Sequence, residues 1–541
     1  MNIRKKILVS GFLLLIITPT FFLAENSNRA YGYEDEADEI SFFDFDDDHV
    51  PDFDPTQFKQ ACDLTPADVL ALITGPDVAI QNVLVNQFYL RTAPPIVRSL
   101  QTDPVLEARR INLCDGHNYF SAKLFFNQMR KVYLSPCSPY IGSFLNFNDT
   151  DLIAAIDNAL RAFDLNVSIP DLVPLFTQIK LEQRRIGAML TYQRRDCGVE
   201  WRMLLPVYYL EHNFFLTKKE QDAIANAPFI QSFNSTTANC NSTSDNNSIE
   251  QLLTEHLVND SFGFGDLRAQ VFFDTIDTEC ITLALGLELN FPSAITLAKG
   301  IIGRTYPTCP VQPTFNYFEL ACNPTQAKNV GIAFALDTLD RLTEVAAQNN
   351  LGALHMGIGF LGEFLYHFDD CYFWRNNFRL FYSCPANESR YFRNTKTAAM
   401  FNRDYADPIE VLENLQFLNQ QTVLFFYPPV TRTHVQPGLV LQYTTAINFD
   451  YDWFKFELGY DYWHKTRESL SIVDYYNASC ALDLEPGIQP AATQQKLFTT
   501  FWFDHSDSCR DWRFGLFGDI TVASKGIGKD WTAGLDIGTK F

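Results

Sequence analysis

Trp531-Thr532-Ala533-Gly534-Leu535-Asp536-Ile537-Gly538-Thr539-Lys540-Phe541 is the stretch whose reading decides the fold. Trp531, Ala533, Leu535, Ile537, Thr539 and Phe541 share one face of an extended chain, and Thr532, Gly534, Asp536, Gly538 and Lys540 share the other. Side chains of a strand point alternately to its two faces, so this pattern predicts a strand with one apolar and one small or polar face.

Working outward, the same alternation recurs. Phe454, Phe456, Leu458, Tyr460 and Tyr462 oppose Lys455, Glu457, Gly459 and Asp461; Trp512, Phe514, Leu516, Ile520 and Val522 oppose Arg513, Gly515, Asp519 and Thr521. Leu283 to Leu289 and Leu354 to Phe364 behave alike, with Glu288 and Glu363 on the opposing faces. Several runs last ten or more residues. That exceeds the usual soluble strand of about five or six and matches the roughly 9 to 11 residues that cross a bilayer obliquely. The opposing face is rich in Gly and small polar groups with charges of both signs, which suits a crowded wet lumen. Open strand edges cannot persist in hydrocarbon, so such strands must close on themselves.

Runs begin near Tyr119, Ile186, Trp201, Leu267, Ile281, Leu354, Phe378, Val423, Leu439, Phe454, Leu497, Trp512 and Trp531. Thirteen is not an even count, so either one short run such as Phe378 to Tyr382 is a loop segment or one strand is missed. The expectation is an all-β fold: a closed transmembrane antiparallel β-barrel of about 12 strands, within a range of 10 to 16, with short helical inserts. Arg268, Glu288, Glu363, Lys455, Glu457, Asp461, Arg513, Asp519 and Asp536 are the candidate lumen residues. Trp453, Tyr462, Trp463 and Trp512, at the ends of runs, are candidates for an interfacial girdle.

The terminal strand resembles the C-terminal signature of Gram-negative outer-membrane β-barrels of porin-like type, with Thr539 departing from the usual larger apolar residue. The resemblance implies that Trp531, Ala533, Leu535, Ile537 and Phe541 form the signal read by the barrel-assembly machinery. Phe262-Gly263-Phe264-Gly265-Asp266-Leu267 is more loosely similar to a strand opening in barrels associated with aromatic-compound transport; a Gly-rich strand entry explains it equally well.

Composition agrees. The 541 residues include 48 Phe and 23 Tyr, which favour strands. The net charge of −22 lacks the basic footprint of a nucleic-acid partner, and a mean hydropathy slightly below zero excludes a polytopic helical membrane protein. Arg4, Lys5 and Lys6 precede an apolar run, Ile7 to Leu23, so residues 1–32 read as a secretory signal. Residues 33–60 read as an acidic disordered tail, because Glu34 to Asp54 holds eleven acidic residues and no Lys or Arg. Residues 61–115 read as a helical, plug-like segment, with a capping pattern at Thr65-Pro66-Ala67-Asp68, and 116–541 as the barrel. Helical inserts are expected at Asp149 to Phe163, after Thr217, and at Ile332 to Ala346.

Twelve Cys in an exported chain argue for disulfides, with Cys309 to Cys322 and Cys371 to Cys384 the plausible loop closures. No pattern for catalysis, metal or cofactor is found; His355 and Glu363, eight residues apart on one face, would be about 26 Å apart. The expected function is a porin-like outer-membrane channel for passive passage of small solutes, with outer-membrane lipid and the assembly machinery as partners and no enzymatic activity. Six acidic against three basic lumen candidates predict weak cation preference. One alternative is a structural or adhesive surface barrel with disulfide-tied loops. The other is a soluble secreted β-rich ectodomain, suggested by eight N-x-S/T sequons.

Overall fold

The computed structural model describes residues 93–107, 116–132, 180–215, 257–301, 343, 347–369, 371–394, 430–451, 453–472, 482–507 and 510–541. Twelve of the strands form a closed antiparallel barrel. They are β1 (Asn118–Met129), β2 (Lys180–Asp196), β3 (Val199–Phe215), β4 (Leu267–Asp277), β5 (Ile281–Phe291) and β6 (Gly357–His367). The second half comprises β7 (Tyr372–Ser383), β8 (Val440–Tyr451), β9 (Phe454–Lys465), β10 (Ala492–Asp507), β11 (Arg510–Lys525) and β12 (Asp530–Lys540). Each pairs with the next along the chain, and β12 returns to β1. This closing seam runs from Met129 opposite Asp530 to Tyr119 opposite Lys540. Phe541 prolongs it by exchanging two backbone hydrogen bonds of 3.0 and 2.9 Å with Asn118.

The two faces are inverted relative to a soluble protein. On β5, Leu287 is 52% exposed and the adjacent Glu288 is 0% exposed. Ile358 and Phe360 on β6, Phe514, Leu516 and Ile520 on β11, and Leu535 and Ile537 on β12 continue the exposed apolar surface. A continuous apolar exterior of this extent marks a surface made for apolar surroundings.

The rims differ. At one, successive strands are separated by two to four residues in the sequence (197–198, 278–280, 368–371, 452–453 and 508–509); at the other, by 26 to 65, and only 526–529 is short. Cys197 and Gly198, both at positive φ, make the two-residue turn between β2 and β3. Aromatic side chains crowd the short-turn rim: Tyr372 lies 4.8 Å from Phe449, Phe454 lies 5.5 Å from Phe503, and Trp453 stacks on Phe503.

The wall has one built-in break, at the Gly-rich motif singled out above. Val258–Phe264 pairs with the upper half of β3 and β4 with its lower half, and Ile295–Lys299 continues β5 beyond Pro292 against 261–264. Between them, Asp266 accepts the backbone N–H groups of Ala294 (3.2 Å) and Ala353 (2.6 Å). A Cβ at Gly263 would sit 2.0 Å from the Ile295 carbonyl, so the close approach requires glycine there. Ala386–Tyr391, Val430–Gln436 and Ser469–Ile472 form a small separate sheet at the long-connection rim.

Phe378 to Tyr382 is not a loop but part of β7, held between β6 and β8; the run near Val423 lies outside the described residues. The expected helices at 65–73, 149–163 and after Thr217 also lie outside them, as does that at 332–346 apart from Thr343. The closure of Cys371 with Cys384 does not form, and both are free thiols. All of β7 separates them, roughly 40 Å at about 3.3 Å per residue, whereas a disulfide needs Cα atoms within about 7 Å. Cys309 and Cys322 lie outside the described residues.

An added Cβ at Gly534 would meet the Leu124 carbonyl at 2.0 Å and the Phe517 ring at 2.5 Å, inside the closing seam. Gly534→Val is expected to cost roughly 1–3 kcal/mol or more and to lower the fraction of heat-modifiable compact barrel on unheated gels. Gly362→Ala, whose Cβ meets only Leu285 at 3.9 Å, should leave that fraction unchanged.

Candidate functional site: the occupied lumen

Residues 93–107, Ala-Pro-Pro-Ile-Val-Arg-Ser-Leu-Gln-Thr-Asp-Pro-Val-Leu-Glu, lie inside the barrel as a strap. Pro94, Pro95 and Pro104 oppose regular helix, and Leu100–Thr102 makes only a single 3-10 turn. The buried carbonyls of such a segment need donors, and wall side chains supply them. Arg185 donates to the Arg98 carbonyl (2.8 Å), Gln442 to Thr102 (3.0 Å), and Lys123 to both Val105 (2.9 Å) and Glu107 (2.7 Å). Leu100, Val105 and Leu106 pack among Phe125, Met189, Leu204 and Phe498.

Three ion pairs join strap to wall. Arg98 meets Asp461 on β9 at 2.6 Å, Asp103 meets Lys496 on β10 at 2.7 Å, and Glu107 meets Arg379 on β7 at 2.9 Å. Each wall partner is embedded in a wider network. Asp461 also accepts from Gln442 (2.9 Å) and Thr444 (2.8 Å); Lys496 also faces Asp519 (3.0 Å) and Asp530 (3.1 Å); Arg379 also meets Glu288 (3.0 Å). Across the lumen, Arg202 bridges Glu200 (2.5 Å) and Glu363 (3.2 Å) and stacks 4.1 Å from Phe272. Glu107 lines a small pocket together with Arg202, Glu363, Asn377, Arg379 and Gln442.

All nine lumen candidates point inward. Glu288, Glu457 and Asp461 are wholly buried, Arg268, Glu363, Asp519 and Asp536 nearly so. Lys455 and Arg513 sit nearer the short-turn rim, where both pair with Asp504 (3.5 and 2.7 Å). Arg268 lies 3.4 Å from Glu288 and Arg375 pairs with Glu457. Sequence reasoning missed Lys123, Arg185, Arg202, Arg375, Arg379 and Lys496, all buried and inward. Strand parity marks each of them, but Arg379 fell within the segment Phe378 to Tyr382 assigned to a loop, and Arg375 lies just before it. Glu200, Asp504 and Asp530, the acids that pair with Arg202, Arg513 and Lys496, were missed with them, so nine acidic and nine basic wall groups stand in balance where an acidic excess was expected.

Trp453 and Trp512 are exposed at the short-turn rim, and Tyr462 faces outward near the other. Trp463 is not a girdle residue: it shares the inward face with Asp461 and lies 3% exposed under the Arg98 guanidinium. Of the terminal strand, Ala533, Leu535 and Ile537 are exposed on the outer face, Trp531 is half-buried there, and Phe541 is exposed. Among the described residues no group of His, Cys, Asp and Glu could hold a metal ion.

A closed β-barrel with an apolar exterior and a charged, occupied lumen is the class of protein that fold and site define. No protein-family model matches the chain, and no curated protein matches it. Solved structures similar to it include an outer membrane channel from Pseudomonas putida F1 (8% identity, 80% of this chain and 100% of that one, TM-score 0.37). The P. putida toluene transporter TodX is another (9% identity, 79% and 89%, TM-score 0.27). A third is the transport unit of the autotransporter AIDA-I from Escherichia coli (6% identity, 86% and 97%, TM-score 0.31). The likeness is one of barrel fold.

Lys496→Met would leave three buried carboxylates without their shared cation. It is expected to destabilise the folded barrel by about 3–5 kcal/mol, read as a shift of the urea unfolding midpoint in detergent micelles. Above the rim, Glu388 is hydrogen-bonded to His355 and pairs with Arg390 at 2.8 Å. Burial alone would raise the Glu388 carboxyl, but the His355 and Arg390 contacts outweigh it and hold it below the usual carboxylate range. A depressed native pKa stabilises fully above the unfolded value of about 4.3, and that stabilisation is lost as pH falls through the native value. Glu388→Gln should therefore lose less stability than the wild type between pH 5 and pH 3, on an approximate scale set by that reference.

Proposed function

We propose that this chain is an outer-membrane β-barrel channel for passive passage of small solutes, closed in the described state by the strap at 93–107. In this reading residues 1–32 direct export, the Phe541 strand is presented to the barrel-assembly machinery, and the chain is not an enzyme. The observation that carries it is the inversion of the wall: Leu287 outside and Glu288 inside, repeated round a closed set of twelve strands. A soluble ectodomain does not need to hide its charges in a lumen and present its leucines outward. The strap itself favours a second reading, a structural or adhesive surface barrel whose lumen is permanently filled.

Conductance separates the two. Arg98→Met/Asp103→Asn/Glu107→Gln removes the strap's three ion pairs, while Asp461 keeps Gln442 and Thr444, Lys496 keeps Asp519 and Asp530, and Arg379 keeps Glu288. In planar bilayers the wild type should conduct rarely, and the triple variant should raise open probability at least about tenfold, the effect of ~1.4 kcal/mol. A triple variant that is folded and inserted yet silent supports the structural barrel. Fractionation from a Gram-negative host should place both with the outer membrane, and recovery as soluble periplasmic protein would defeat either membrane reading.

A further inference from the structure

We infer that the solute this barrel admits is a small zwitterion, with its ammonium and carboxylate spaced as in an α-amino acid, and that the strap holds the solute's place on the wall. This solute class deepens the channel reading proposed above and rests on it. The ladder sets Arg379 on β7 opposite Gln442 on β8, and Asp461 on β9 opposite Thr444 on β8. Parity turns all four inward, and all four are buried. One carboxamide ties the two charges together: Arg379 Nη1 donates to Gln442 Oε1, and Gln442 Nε2 donates to Asp461 Oδ1, each at 2.9 Å. Those amide atoms are two covalent bonds apart, so the Arg379 nitrogen and the Asp461 oxygen are separated by at most about 8 Å. The wall holds both without the strap, since Asp461 also accepts from Thr444 (2.8 Å) and Arg379 also meets Glu288 (3.0 Å).

The strap supplies the countercharge of both. Glu288 is shared with Arg268 at 3.4 Å, so two guanidiniums face one wall carboxylate, and Glu107, 2.9 Å from Arg379, is the second. Arg98 is the base paired with Asp461 among the described residues (2.6 Å), while its wall donors Gln442 and Thr444 are neutral. Lys496 differs, because Asp519 and Asp530 stay with it when Asp103 is withdrawn. With the strap displaced, β7 and β9 therefore carry one cation and one anion, side by side, whose countercharges have left. Charges so placed call for a partner of each sign.

A single ligand meets both. In an α-amino acid the ammonium nitrogen and the carboxylate carbon lie about 2.5 Å apart, and charge-assisted hydrogen bonds of about 2.8 Å at each end extend its reach to about 8 Å. A simple anion would satisfy Arg379 and leave Asp461 unpaired, and a simple cation would do the reverse. Arg379 also keeps a donor free: its buried Nε has no hydrogen-bond partner among the described residues, and Glu107 engages Nη2. Nε and Nη2 form one edge of the guanidinium, which a solute carboxylate can grip with both oxygens. Glu107, Arg379, Gln442 and Thr444 line the small pocket described above, so free space adjoins the carboxylate end of the site.

The test is equilibrium dialysis in detergent micelles with three probes: L-alanine, N-acetyl-L-alanine, which lacks the ammonium, and L-alaninamide, which lacks the carboxylate. The protein is the full-length chain carrying Arg98→Met/Asp103→Asn/Glu107→Gln, its fold checked by heat-modifiable mobility. Alanine should bind it at least about tenfold more tightly than either analogue binds, and at least about tenfold more tightly than alanine binds the wild type, whose strap occupies both groups. Adding Asp461→Asn should weaken alanine and leave N-acetyl-L-alanine unchanged; adding Arg379→Gln should weaken alanine and leave L-alaninamide unchanged. Neither strands a new charge, because Arg98 and Glu107 are already replaced and Glu288 keeps Arg268. Analogues that bind as tightly as alanine, or no saturable binding by any of the three, would overturn the inference. Equal alanine affinity in wild type and triple variant would refute the strap's place-holding. Conductance of the triple variant decides the channel reading separately. A silent variant that binds alanine selectively refutes passage and keeps the site, and a conducting variant without that selectivity refutes the site and keeps the channel.

Discussion

Everything in this molecule depends on the backbone ladder between β12 and β1. Until those strands pair, the sheet has two open edges, and each strand presents a row of unpaired N–H and C=O groups that hydrocarbon cannot satisfy. The pairing fixes an even number of strands and a defined inside. Once there is an inside, the period-two alternation of every strand is converted into two surfaces with opposite solvents. Phe541 lies at the end of that seam, bonded through its backbone to Asn118. The residue that carries the resemblance to an assembly signal is thus also the one that prolongs closure.

Closure creates a second problem, which the lumen resolves. Inward positions hold Lys123, Arg185, Arg202, Arg268, Arg375, Arg379 and Lys496 beside Glu288, Glu363, Glu457, Asp461, Asp519 and Asp536, all buried. Buried charges are tolerated only when paired and hydrogen-bonded, and a pair that loses one member is costly. The strap contributes one base and two acids to this set, and wall side chains donate to its Arg98, Thr102, Val105 and Glu107 carbonyls. Wall and strap complete each other's hydrogen bonding. This explains how a segment with three prolines and almost no secondary structure is held in one place.

The barrel was legible in the sequence because its signal is local. Parity along ten residues is set by neighbours, and it identified the class of fold and the inward face of β9, β11 and β12. Errors arose where parity was not followed through. Trp463 shares the parity of Asp461, yet its aromatic character suggested a girdle. Phe378 to Tyr382 was judged short because Tyr372 to Asn377 carries little alternation, and its strand is completed only by pairing with β6 and β8. The strap was not legible beyond a plug-like label. Residues 93–107 have no period, and their partners are remote: Arg98 and Asp461 are separated by 363 positions. No pattern in one chain announces such a pair before the barrel has brought its walls together.

The strap's connectivity limits how the lumen could clear. At its lower end it continues through 108–115 into β1, a tether of eight residues that reaches at most about 29 Å at 3.6 Å per residue. At its upper end it continues into the chain before residue 93. In the channel reading, a strap joined to β1 through so short a tether is not a detachable plug, and opening would move it sideways against the wall or along the barrel axis within the slack of that tether. Both motions break Arg98–Asp461 and Asp103–Lys496 while leaving Asp461 and Lys496 with wall partners. The wall keeps Lys496 paired with Asp519 and Asp530 without the strap, whereas Asp461 would keep only the neutral donors Gln442 and Thr444, so the cost of an open state in that reading falls mainly on the Arg98–Asp461 pair.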